Sequence, residues 1–190
     1  MPLSFALSAV EKNCLSHLAR RAIDVRFAGL SEDPPSPEAL AVKNTSALFR
    51  QLGGFVTLTL SGMLRGCIGN IAGKGPLYAT IWNMAQAAAF HDPRFPPLSP
   101  KEWPVAQLHI SVLDELTPCF DPDAIEIGRH GLLLQHRGHS GVFLPQVPVE
   151  QGWDRQAYLD NLCRKAGLPA GSWNEPGAQL YWYEALVFEG

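Results

Sequence analysis

The sequence predicts an α+β fold with a mainly antiparallel sheet and helices on one face. Three observations carry this. Strand-like runs come in closely spaced pairs, Phe55–Leu60 with Met63–Gly69 and Leu132–Leu134 with Val142–Leu144, and such spacing fits hairpins. Helical segments lie between those pairs instead of following every single strand, which disfavours a regular series of βαβ units. The 190 residues are 46% hydrophobic and 17% charged, enough to bury a core without metal or disulfide staples. No linker is long enough to separate independent domains. The expectation is therefore one domain over residues 1–190, either undivided or built as two intertwined sub-lobes.

The first helix runs from about Ser4 to Ala28. Ser8 and Glu11 stand at capping-box spacing, and Gly29 ends the segment. Val10, Cys14, Leu18 and Ala22 set its apolar stripe, widened by Leu7, Leu15 and Val25, with Lys12, Arg20, Arg21 and Arg26 on the other side. Leu30–Pro37, with three prolines and acidic residues, reads as an exposed loop. Ser61-Gly62 then joins the first hairpin. Pro76 opens a second helix at the first-turn position that proline tolerates. Leu77, Ile81, Met84 and Ala88 share one of its faces, and its alanines allow close approach to a sheet. The segment HDPRFPPL forbids continuation. Gln107–Leu113 is a strand, and the turn of the second hairpin is centred on residues 138–141. Asp154–Ala166 is a helix capped by Asp154 and stopped by Gly167, with Tyr158, Leu162 and Ala166 as its stripe. Leu180–Phe188 closes the chain as a single aromatic and β-branched strand.

Composition excludes several functions. Fifteen basic against eighteen acidic residues give a net charge of −3, no footprint for a phosphate backbone, so nucleic-acid binding is disfavoured. The N-terminus has no basic region followed by an apolar core, and no run approaches the ~18–20 apolar residues of a membrane span. Cys14, Cys67, Cys119 and Cys163 form no CxxC or CxxH pair. The chain reads as a cytoplasmic domain with free thiols.

The segment Leu64-Arg65-Gly66-Cys67-Ile68-Gly69 is the most informative. On a strand, Leu64, Gly66 and Ile68 share the core face, and Arg65, Cys67 and Gly69 the other. Arg65 then lies beside Cys67, where its charge favours thiolate over thiol, and the glycines leave room for a second body. Against this stands a small buried cysteine with Arg65 paired to an acid. In His91-Asp92-Pro93-Arg94, prolines fix the charges of Asp92 and Arg94, which either shape a binding site or form a local ion pair at a helix stop. His130, between Arg129 and Gly131, is either a general base for a thiol or a turn residue. Gln146, between Pro145 and Pro148, is a rigidly presented amide for substrate or backbone. His136 and His139 lack a third ligand, so no metal is assigned. GxSxG, the P-loop, GxGxxG and HExxH are all absent, and no cofactor is assigned.

LRGCIGN at 64–70, AAFHDPRFPPL at 88–98, IEIGRHGLLL at 125–134, GVFLPQVPVEQGW at 141–153 and LCRKAGLP at 162–169 together resemble the AMMECR domain family. The resemblance implies an α+β fold of two unequal, closely packed lobes, with the LRGCIG hallmark bordering a cleft between them. It brings no established reaction. The family's prokaryotic genes often lie beside those of a Memo-type protein and a radical S-adenosylmethionine protein, which implies a shared pathway, the AmmeMemoRadiSam system. Two functions follow. One is an enzyme or enzyme component using Cys67, with His130 as base and Arg65, Asp92, Arg94 and Gln146 around an unknown small molecule. The other is a non-catalytic module that holds a peptide or partner in the same cleft.

Overall fold

The computed structural model describes residues 3–30, 33–40, 42–43 and 46–190. In chain order the regular elements are α1 (Ala9–Phe27), β1 (Gly53–Leu60), β2 (Met63–Asn70), α2 (Leu77–Phe90), β3 (Gln107–Leu113), β4 (Thr117–Pro118), β5 (Gly131–His136), β6 (His139–Phe143), α3 (Gln146–Glu150), α4 (Arg155–Lys165), β7 (Gln179–Tyr183) and β8 (Ala185–Glu189). They build two four-stranded sheets, β2-β1-β3-β8 and β4-β7-β5-β6. The α+β class with antiparallel pairing is as expected. The chain divides into two compact units. The first runs to Leu113 and takes back Leu186–Gly190; the second is Asp114–Ala185.

In the first unit the Ser8 hydroxyl accepts from Glu11 N (3.3 Å) and Glu11 accepts from Ser8 N (2.8 Å), the reciprocal capping box. This cap starts α1 at Ala9, one turn later than the sequence pattern placed it. Gly29 adopts φ 67°, so its N–H reaches Arg26 O and that of Leu30 reaches Val25 O, a Schellman stop. The buried stripe is Leu15, Leu18, Ala19, Ala22 and Ile23. Val10, expected on it, is 68% exposed, because the first turn lies beyond the core. Leu30 and residues 33–36 lie in neither helix nor strand, and Pro37 opens a short 3₁₀ helix, Pro37–Leu40; Ser31 and Glu32 lie outside the described residues.

The β1–β2 hairpin closes through Ser61 (φ 51°) and Gly62 (φ 79°), both left-handed as a type I′ turn requires. Pairing is regular until Leu58 faces Gly66 and Thr59 faces Leu64, which leaves Arg65 as the extra residue of a bulge. The bulge breaks the period of two. Leu64, expected in the core, is 44% exposed as a result. Val56, Leu58, Leu108, Ile110 and Val112 point to the helix side and pack with α1 and α2 in one core. Pro76 is the N-cap of α2, one position earlier than expected. A Cβ at Gly66 would run into the Ala88 carbonyl oxygen, so the helix backbone lies directly on the strand, as its alanines allow.

In the second unit Leu132 and Leu134 of β5 pack with Tyr158, Leu159 and Leu162 of α4. Asp154 accepts from Ala157 N (2.8 Å) and Gly167 turns the chain at φ 76°. The β5–β6 turn is Arg137-Gly138, tighter than expected, so His139 and Ser140 are strand residues. The single closing strand of the sequence reading is two strands. Residues Gln179–Tyr183 pair with β5, whereas β8 joins the first sheet. The otherwise apolar run conceals this change, with Glu184 as its single polar break. No helix among the described residues is long and apolar enough to cross a membrane.

Candidate functional site

Cys67 lies on β2, the edge strand of the first sheet, opposite Thr57. Its backbone is held by the segment that follows α2. Cys67 N donates to Asp92 Oδ2 (2.9 Å), and Arg94 Nη2 donates to Cys67 O (3.1 Å). For one residue this segment does what a neighbouring strand would do. Asp92 also accepts from Arg94 N (3.1 Å), Nε (3.0 Å) and Nη2 (2.7 Å). The Arg94 guanidinium holds the Asp92 carboxyl far below the usual carboxylate range against the opposing effect of burial, and the Cys67 N–H adds to this. The Asp92 side chain is 1% exposed and that of Arg94 54%, so the clamp has a buried anchor and an open cation.

Arg65, the bulge residue, is turned to a different partner. Its Nε donates to Glu102 Oε1 (2.8 Å), and its Nη2 to Glu102 Oε2 (3.2 Å) and Pro97 O (3.2 Å). Glu102 accepts from Ser99 N as well (2.8 Å). Arg65 first, then Ser99, hold the Glu102 carboxyl down at about 2. The Phe95 ring carries both guanidiniums, Arg94 at 5.5 Å and Arg65 at 5.9 Å from its centroid. The glycines that were expected to leave room for a second body are filled from within. Gly66 receives α2, and Gly69 lies against the Phe55 ring.

Cys67 projects from the sheet face opposite to that on which Gly66 meets α2, and the residue is half-buried. Thr57 Oγ1 donates to it at 3.2 Å. Thr57 also pairs with His109 of β3, so Cys67, Thr57 and His109 form one row across three strands. Sequence reasoning missed His109. The available signal was its place between Leu108 and Ile110, which puts it on the non-core face; its register with Cys67 follows only from the pairing. The other thiols are Cys14, half-buried, and Cys119 and Cys163, both buried; burial pushes all three up.

His130 and Gln146 belong to the second unit. His130 is 7% exposed, with its ring 4.7 Å from that of Trp182. Its Nδ1 accepts from Glu126 N (3.1 Å), and Tyr158 Oη donates to its carbonyl (3.2 Å). Burial, then Arg129, pushes the imidazole down toward the neutral form. With Nδ1 accepting, the neutral ring carries its proton on Nε2 and offers a donor there. Gln146 begins α3, and its Oε1 is buried without a partner among the described residues.

The sequence profile of the AMMECR1 family matches residues 16–188, which takes in every residue of this site. The chain belongs to the AMMECR1 family. This AMMECR1 chain is 35% identical over 182 residues to Protein NEQ441 of Nanoarchaeum equitans, a match covering 92% of this chain and 98% of that protein. It is 38% identical over 187 residues to Protein TK0174 of Thermococcus kodakarensis, covering 92% and 88%. Among solved structures it is similar to Uncharacterized Protein PH0010 from Pyrococcus horikoshii, with a TM-score of 0.81, 36% identity and coverage of 92% and 89%.

Cys67 is therefore held at three points, its backbone N, its backbone O and its Sγ, with the half-exposed Arg94 guanidinium alongside. Among the described residues no three His, Cys, Asp or Glu side chains converge as metal ligands. The chemistry on offer is that of a positioned thiol: nucleophilic attack, or reversible attachment of a carried group.

Proposed function

We propose that this AMMECR1 protein works in the cytosol as an enzyme or enzyme component whose chemistry is carried by the Cys67 thiol. The supporting observation is that Cys67 N, O and Sγ are all engaged by Asp92, Arg94 and Thr57 while the residue stays half-buried. Fixing a group at several points lowers the entropy cost of presenting it to a reactant. Arg94, paired through one edge and open to solvent, receives an anionic part of the substrate. Asp92 is a positioning residue. Arg65 sets the bulge and is neutralised by Glu102. His130 takes no proton in this reading, because its acceptor nitrogen is occupied. The family's gene neighbourhood supports a place in one pathway with a Memo-type protein and a radical S-adenosylmethionine protein.

A second reading, a module that holds a partner peptide without turnover, draws on Met63 and Leu64, which are exposed at the hairpin end of the same strand. Incubation with a metabolite extract, followed by intact and peptide mass spectrometry, separates the two. The thiol reading predicts a substrate-derived mass increment on the Cys67 peptide that Cys67→Ser lacks. Extract that leaves Cys67 unmodified, together with full in-cell function of Cys67→Ser, overturns it in favour of the docking module.

A further inference from the structure

We infer that His109 is the proton-accepting partner of Cys67, acting through the Thr57 hydroxyl; this rests on the thiol reading above. Directly opposed residues on adjacent antiparallel strands share a face, with Cβ atoms ~4.5–5.5 Å apart. Cys67, Thr57 and His109 are so opposed, in the pairs Thr57↔Cys67 and Thr57↔His109. Two strand spacings of ~4.8 Å put the cysteine and histidine backbones on the order of 10 Å apart. That is too far for a short cysteine side chain to meet the ring directly. A single hydroxyl-bearing residue lies between them, and Thr57 Oγ1 already contacts Sγ at 3.2 Å.

The setting favours His109 further. On this face β1, β2 and β3 otherwise present Leu64, Gly69, Phe55, Thr59, Gln107 and Ser111, and the adjoining strand β8 brings the exposed carboxylate Glu189 beside His109, next to Gly190, whose N–H donates to Leu108 O. Among the described residues the His109 ring makes no hydrogen bond or ion pair, unlike His130 and His136. It is half-buried.

The step is a proton relay. The Sγ–H proton passes to Thr57 Oγ1 as the threonine's own proton passes to the unprotonated nitrogen of the neutral His109 imidazole. An S–H and an O–H bond break, an O–H and an N–H bond form, and thiolate and imidazolium result with charge conserved. The sulfur electron pair then forms a bond to an electrophilic substrate carbon. The bond broken at that carbon gives its pair to the leaving group, which takes the imidazolium proton. In the charged state the donors run from His109 N–H to Thr57 and from Thr57 O–H to the sulfur, the direction of the observed contact.

The test is the iodoacetamide alkylation rate of Cys67 at neutral pH, resolved by peptide mapping, in the full chain and in Thr57→Val, Thr57→Ser and His109→Asn. Losing one charge-assisted hydrogen bond lowers the thiolate population about tenfold. The less stabilised thiolate is intrinsically more nucleophilic and recovers about half of that on a logarithmic scale, so the net slowing is about threefold to fivefold. Thr57→Val and His109→Asn are expected to show this slowing with circular dichroism unchanged, and Thr57→Ser to stay within twofold. Alkylating Cys67 should also shift the His109 imidazole ¹⁵N resonances in the unmodified sequence and not in Thr57→Val. If Thr57→Val does not fold, His109→Asn and the resonance shift decide. Rates equal across all variants, with Cys67 still reacting ahead of Cys14, overturn the relay alone. Cys67 reacting no faster than Cys14 in the unmodified sequence overturns the thiol reading itself.

Discussion

Cys67 and His130 both sit among charged residues in glycine-flanked motifs, yet the two sites use their neighbours in opposite ways. Around Cys67 the polar contacts grip the backbone and leave the sulfur half-buried with a hydroxyl beside it. Around His130 they consume the ring's acceptor nitrogen and tie its carbonyl to Tyr158, while the ring lies tilted against that of Trp182. One arrangement fixes the backbone of the residue and the other immobilises its side chain. Charge close to a residue in sequence does not distinguish the two; what distinguishes them is which atom of that residue the neighbours occupy.

The contrast can be broken most severely at Asp92. Asp92→Ala removes the acceptor of four hydrogen bonds, from Cys67 N and from three Arg94 nitrogens, at a side chain 1% exposed. Breaking such a buried charged network should cost about 3 kcal/mol, read as a lowered urea midpoint at constant m. Gly66→Ala comes next. Its new Cβ meets helix backbone and not a flexible side chain, so about 1–3 kcal/mol is expected by the same measurement. Glu102→Gln acts through pH. Because the Glu102 carboxyl is held at about 2 against an ordinary 4.5, its pair with Arg65 contributes fully above pH 4.5 and is lost as pH falls toward 2. Thermal melts of Glu102→Gln should therefore depend less on pH across that window than those of the unmodified sequence. The smallest effect is expected at the other site. His130→Gln should leave the Cys67 alkylation rate within twofold, and a tenfold slowing would return His130 to the thiol chemistry.

Much of the fold was legible. Ser8 with Glu11, Ser61-Gly62, Asp154 and Gly167 are local signals whose geometry is settled within a few residues, and each sits where its chemistry predicts. The misreadings share a non-local cause. The bulge at Arg65 depends on how β2 pairs with β1, so alternation alone put Leu64 inside and Arg65 beside the cysteine on an open face. The split between β7 and β8 depends on which sheet each half joins, and a lone Glu184 inside an otherwise apolar run carries no mark of that. At the site, Cys67, Asp92 and Arg94 stood out because their motifs are short and unusual. His109 did not, since a histidine inside QLHISVL becomes notable only once its strand is in register with the cysteine.

The central claim is that the Asp92–Arg94 clamp presents one particular thiol. Time-resolved alkylation of the four cysteines in the native protein at neutral pH, followed by peptide mapping, tests it directly. Cys67 should be modified first and at least about tenfold faster than Cys119 and Cys163, whose burial withholds them and disfavours their thiolates, with Cys14 in between. Modification of Cys67 at the same pace as the two buried thiols, or after them, would contradict the account.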